Sequence, residues 1–292
     1  MTSIRMNSPP PYTFDLREHY PDCGAFTSPF DQGACNGCAA ASLATLLSIL
    51  ACISPHAPNS SSTLLFSAQQ IWDCYDGSCE AGVPSLDAFF ETVLLGPKAD
   101  LMLQHRDSVV MRASNFSLCT THNGSLNVRL GSAVHHMWGS GEAAMQAHIM
   151  QHGPVLAVMT LPVDRFQLFS NWRNTSLPFD ALFYGSNRLV VTHALVVTGW
   201  VSNASGTLAW RVQNSMGDSW GDHGHGLIMG APLHQQWYSF SLVRGPQTAS
   251  DTAFALVTEA VPPSLNAIDD GMILCATAMG MLGLGVLFVV YF

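Results

Sequence analysis

Residues 31–52 read DQGACNGCAAASLATLLSILAC. The first seven, Asp31 to Gly37, hold two glycines and an asparagine, a turn that a helix interior would not accept. From Cys38 onward the chain is Ala, Leu and Ser, with apolar residues at Leu43, Leu46, Leu47, Leu50 and Ala51. That spacing predicts a helix with one buried face. Cys38 then sits in the first turn, where unbonded N–H groups and the macrodipole favour an anion. A thiol placed there loses its proton more readily, and the thiolate is the nucleophile. A disulfide or a core cysteine is the competing reading of Cys38 taken alone, so the rest of the chain has to decide.

The 292 residues suffice for one large domain or for two halves around a cleft. Apolar residues make up 48% of the chain, enough for a sizeable core, and charged residues only 11%. A net charge of −9 excludes nucleic acid as a partner, because phosphate binding needs clustered Lys and Arg. Eight cysteines point to an oxidising compartment. Asn-x-Ser/Thr sites at Asn59, Asn115, Asn123, Asn174 and Asn203 point the same way. Against this, Met1 to Pro11 shows no apolar signal region and reads as an extended, proline-rich tail. At the other end, 272–292 is uncharged and almost wholly apolar, long enough to span a bilayer as a helix. A buried soluble helix is the plain alternative. A GPI signal is another, with small residues near Ser264 to Ala267. No Lys or Arg flanks the segment, so charge sets no orientation.

Ser67 to Trp72 reads as a capped helix, with Ser67 as N-cap and Gln70 as its capping-box partner. Ser85 to Leu95 reads as another, with Leu86, Phe89, Phe90 and Val93 on one face. After a composition switch near 120–150 the pattern turns β-rich: 157–159, 189–197, 209–212 and 226–229 are short strands. A helical half followed by a β half leaves a cleft between them, the usual place for a site. His193 lies inside the apolar strand Val190 to Val197 and is either a satisfied core residue or a placed base. Asn214 ends a further strand. Cys38, His193 and Asn214 are the three groups that thiol acyl transfer needs: a thiolate, an imidazolium to protonate the leaving amine, and an amide to orient it. Gln32 and the Cys38 backbone N–H can donate to the oxyanion.

With these residues in hand the chain resembles the papain family of cysteine proteases, and within it the cathepsin B type. The matching stretches are Phe14-Asp15-Leu16-Arg17-Glu18, Asp31 to Cys38, Thr192-His193-Ala194, Gln213-Asn214-Ser215 and Ser219 to Gly224. The order Cys, His, Asn and the long gap between Cys38 and His193 fit the family pattern. The resemblance covers about residues 12–250. It implies an α+β, two-lobed fold: a helical lobe over about 24–125 and an antiparallel, β-barrel-like lobe over about 126–262. Around this 12–262 domain lie the 1–11 tail, a 263–271 linker and the 272–292 membrane helix or GPI signal.

The same resemblance implies three bridges, Cys35–Cys79, Cys74–Cys119 and Cys23–Cys52. It leaves Cys38 as a free nucleophile and Cys275, in the apolar segment, without a partner. On the substrate side it implies that the Gly82 backbone bonds an extended peptide, that Pro84 lines the S2 pocket, and that Tyr238 closes its bottom. The implied function is a cysteine endopeptidase without cofactor or metal, acting on peptides and attached to a membrane. It lacks the length between Cys74 and Cys119 for the occluding loop of cathepsin B, and fewer than a dozen residues precede Tyr12 where the family carries a propeptide.

Three departures from the pattern bear on activity: Ala39 and Met216 stand where tryptophan is usual, and Glu80-Ala81 replaces Asn-Gly. A membrane-anchored, non-catalytic binding or adhesion protein is the rival reading. A thiol–disulfide oxidoreductase built on Cys35-x-x-Cys38 is excluded by the absence of a βαβ pattern around it. Asp222, His223 and His225 read as a turn rather than a metal site, and Trp220 as packing beneath the Asn214 loop.

Overall fold

Gly199 shows how tightly the N-terminal strand is joined to the sheet. A side chain there would run into the Phe14 carbonyl oxygen. Only glycine admits the short strand β1 (Thr13–Asp15) across the long strand β5 (Val190–Ser202), with Asp15 opposite Gly199. In this computed structural model the described residues are 10–54, 65–95, 111–116, 119, 128–137, 141–173, 177–181, 189–203, 206–229, 233–244 and 256–259. The 1–9 tail, Asn59, Asn123, Asn174, the linker and the apolar 272–292 segment lie outside them. Among the described residues no helix is long and apolar enough to cross a membrane.

The helical part comes first. A one-turn helix α1 (Leu16–His19) is capped by the Asp15 carboxylate, which also pairs with Arg17 and Arg211. Helix α2 (Cys38–Ile53) follows, then α3 (Ala68–Tyr75) and α4 (Leu86–Leu95). Periodicity predicts one buried face for α2, but the helix is buried nearly all round, because alanines and serines fill its other faces. Its two buried serines are satisfied: Ser48 donates to Ala44 O and accepts from Phe66 N–H, and Ser42 donates to Ala194 O on β5. The capping box at α3 is half formed. Ser67 Oγ accepts from Gln70 N–H, while the Gln70 amide turns along the helix to Cys74 Sγ.

Among the described residues the second part is one nine-stranded sheet in the order β4-β7-β6-β5-β3-β8-β2-β9, with β1 added to β5. Its other members are β2 (Val128–Met137), β3 (Val155–Pro162), β4 (Phe179–Asp180), β6 (Leu208–Gln213), β7 (His225–Met229), β8 (Gln236–Arg244) and β9 (Leu256–Glu259). The barrel-like lobe expected from the resemblance is therefore an open sheet. Its outer strands, β4 and β9, pair parallel with β7 and β2 and do not meet each other. Two helices interrupt the strand run, α5 (Gly141–His152) and α6 (Val163–Ser170). β5 is buried on both faces from Val191 to Trp200 and packs directly on α2. Three bridges, Cys23–Cys52, Cys35–Cys79 and Cys74–Cys119, staple the helical part.

Candidate active site

The turn before α2 is held by its own polar groups. Asp31 Oδ1 accepts from Gly33 N–H at 2.8 Å, an Asx turn that lets Gly33 adopt φ 55°. The Cys35–Cys79 bridge and the Asn36 N–H bond to Cys79 O tie the turn to the next loop. Gln32 is thereby fixed at both ends of its side chain. Its Nε2 donates to Cys35 O at 3.0 Å and its Oε1 accepts from Ser215 Oγ at 2.6 Å. Its backbone N–H donates to Ser215 O at 2.8 Å. An amide nitrogen carries two hydrogens, so one remains for an oxyanion.

Cys38 is the first residue of α2, as its sequence context predicts. Its Sγ accepts from Ala194 N–H at 3.4 Å, the peptide directly after His193. Nucleophile and base candidates, far apart in sequence, are thus brought together. His193 Nε2 lies 2.8 Å from Asn214 Oδ1. Asn214 Oδ1 also accepts from Ser215 N–H at 2.9 Å, which identifies that atom as oxygen. Nε2 must then donate, and Nδ1 is left as the basic nitrogen. Nδ1 is buried with no hydrogen-bond partner.

Among the described residues bridges join Cys23 to Cys52, Cys35 to Cys79 and Cys74 to Cys119, the pairs that the resemblance implies. Burial pushes the His193 pKa down from 6.5 to about 4, against the bond to Asn214, which raises it. A thiolate beside the ring would favour the charged imidazolium.

An aromatic wall, unmarked in the sequence reading, surrounds His193. Phe166 and Phe169 on α6 lie edge-on to the imidazole, with centroids at 5.5 and 5.7 Å. Their FQLF spacing is visible in the sequence only as an ordinary apolar helix pair. Trp220 is fully buried against Phe169 and Trp172, in the packing role expected for it. Ser42, which donates to Ala194 O, is a further contributor that no motif marks.

The expected substrate residues are dispersed around α4. Gly82 is buried with φ 71° and donates to Ser78 O, while Pro84, two residues on, is exposed. Tyr238 on β8 is buried, packs on Phe90 at 4.9 Å and donates to Asp87 Oδ1 at 3.0 Å. Asn115 and Asn203 are exposed. His225 Nε2 bonds Phe26 O and His223 Nδ1 bonds Asp218. Among the described residues no three His, Cys, Asp or Glu side chains are placed to hold a metal.

A family model described as papain family cysteine protease matches residues 10–232. Cysteine proteinase 3 of Entamoeba histolytica is 29% identical over 170 residues, which is 56% of this chain and 48% of that protein. A cathepsin B-like cysteine proteinase 4 of Caenorhabditis elegans is 25% identical over 249 residues, 75% of this chain and 70% of that one. The chain thus spans about half the length of the amoebal relative. Among solved structures, procathepsin B S9 of Trypanosoma congolense superposes with a TM-score of 0.62 at 18% identity, over 84% of this chain and 82% of that one. That likeness concerns the fold alone. The family match runs from β1 through β7 and takes in every residue of the Cys38 site, so this chain belongs to the papain family of cysteine proteases.

Proposed function

We propose that the protein is a cysteine endopeptidase whose nucleophile is Cys38, whose base is His193, and whose orienting amide is Asn214. The observation that carries this reading is the Nε2–Oδ1 bond of 2.8 Å, which leaves His193 Nδ1 basic beside the Cys38 helix terminus. The Cys38 thiol proton moves to Nδ1. The thiolate attacks the scissile carbonyl, and the oxyanion is met by Gln32 Nε2 and the Cys38 N–H. His193 returns the proton to the leaving amine as the C–N bond breaks. Water, deprotonated by the same imidazole, then cleaves the thioester. Gly82, Pro84 and Tyr238 are the substrate-side residues, and an aromatic Tyr238 floor favours apolar side chains two residues before the cut. Three disulfides, the exposed acceptors Asn115 and Asn203, and the apolar 272–292 segment support a membrane-attached enzyme facing an oxidising space.

A second reading has its own support. Cys38 and His193 are both wholly buried, which suits a protein that is latent as it stands, or that binds without cutting. One experiment separates the two. The native protein is treated with an epoxide-type thiol inhibitor before and after mild reduction, and labelled peptides are mapped alongside Cys38→Ser. Label at Cys38 after reduction, together with peptide hydrolysis, establishes the peptidase. No label after reduction, or equal labelling of Cys38→Ser, refutes it.

A further inference from the structure

The His193–Asn214 bond stays useful only while it is dry and the ring is held still, because water competes for both partners. In the family pattern a tryptophan two residues after the asparagine covers that bond, and here the residue is Met216, flexible and only partly buried. The imidazole is nonetheless fully buried. We propose that Phe169 is the positioning residue that holds the His193 ring against Asn214, taking over from α6 the task that Met216 leaves open. This rests on the thiol-peptidase reading above.

Phe169 is suited to the task because it cannot move by itself. Its ring packs on Trp220 at 5.0 Å and on Phe179 at 5.2 Å, as well as on His193. Its carbonyl accepts the Trp220 indole N–H at 2.7 Å. Phe179 is in turn held beneath the Arg165 guanidinium at 5.6 Å, and Arg165 donates to the neighbouring Asp180 carbonyl. Trp172 closes the group: its N–H donates to Phe169 O, its carbonyl accepts from Gly221 N–H, and its ring lies on Trp220. Rotation of the imidazole away from Asn214 would therefore have to displace a locked aromatic cluster. Phe166 touches the same ring from one helical turn earlier and adds bulk. Phe169 is fully buried, so its effect falls on the chemical step and not on substrate capture.

The test uses the reduced full chain carrying Phe169→Leu, with Met216→Ala and Trp220→Phe for comparison. Two quantities are read: kcat and KM on a peptide substrate, and the pH dependence of Cys38 alkylation by iodoacetamide. Phe169→Leu lowers kcat by about tenfold with KM within about twofold. It also moves the acid limb of the alkylation profile up by about one pH unit, because a loosened imidazolium stabilises the thiolate less. Trp220→Phe, which frees the Phe169 carbonyl, shifts both in the same direction by less, and it carries the test if Phe169→Leu does not fold. Met216→Ala stays within about twofold of the parent. A folded Phe169→Leu with unchanged kcat and acid limb overturns the proposal, as does a Met216→Ala loss equal to it. If the parent protein cleaves no peptide yet the acid limb still shifts, the peptidase reading fails and the positioning role stands.

Discussion

The helical part and the sheet are held together by different physics. The three bridges resolved as pairs lie between Cys23 and Cys119, around α2 and α3. The sheet from β3 to β8 relies on backbone ladders and on a run of buried aromatics, Phe166, Phe169, Trp200, Trp210, Trp220 and Trp237. The nucleophile belongs to the stapled part and the base to the packed part. Constraint of the unfolded chain secures one catalytic group, and burial of large side chains secures the other. The two groups should accordingly fail under different stresses.

Four measurements sharpen or break that contrast, together with one small control. The largest effect needs both parts: His193→Ala or Cys38→Ala lowers kcat/KM at least about a thousandfold in the reduced protein, with the fold retained. A residual activity above a few per cent would place the chemistry elsewhere. Next, Trp210→Ala in the packed part costs about 3–5 kcal/mol in a denaturant titration, by the same amount with or without reductant. Removing the Cys35–Cys79 staple by Cys35→Ser with Cys79→Ser costs about 2–5 kcal/mol, and reductant then has correspondingly less left to take away. If reductant destabilises both variants equally, the two-physics contrast is wrong.

Acid should strike the packed part selectively. His193 and His225 are buried as neutral rings, and burial holds both near pKa 4; for His225 the Phe26 carbonyl bond opposes that shift. The folded values lie below the unfolded 6.5, so between the two the unfolded chain binds more protons. Stability is full above about pH 6.5, declines as pH falls toward 4, and levels off below. Each ring contributes on the order of 3 kcal/mol when its shift is fully realised. The smallest effect is Tyr238→Phe, which loses the bond to Asp87 and about 1 kcal/mol in the same denaturant assay.

Gln32, Cys38, His193 and Asn214 stand out in the sequence because each is a chemically specific residue in a short motif; in the fold His193 bonds Asn214, Gln32 bonds Ser215 and Cys38 Sγ accepts from the Ala194 N–H. The helix starting at Cys38 was legible from its glycine turn. Other features were not. An open sheet and a barrel-like lobe use the same alternating strands, so the two-residue β4 and the distant β9 decide between them without leaving a pattern. Ser42 looks like filler in an alanine-leucine run, and Phe169 like one more apolar helix position.

The Ala194 peptide connects the two parts at a single residue. Its N–H points at Cys38 Sγ and its carbonyl accepts from Ser42 Oγ, so both ends of one residue are read by the same helix, one turn apart. It works as a caliper. The gap between the sulfur and the β5 main chain is set by the Ala194 backbone and by one hydroxyl, and no side chain at position 194 is needed to set it. Drift in the surrounding aromatic packing can therefore change how firmly the base is held without changing how far its strand stands from the nucleophile. Selection could then exchange the tryptophans of the family for Ala39 and Met216 without altering that distance.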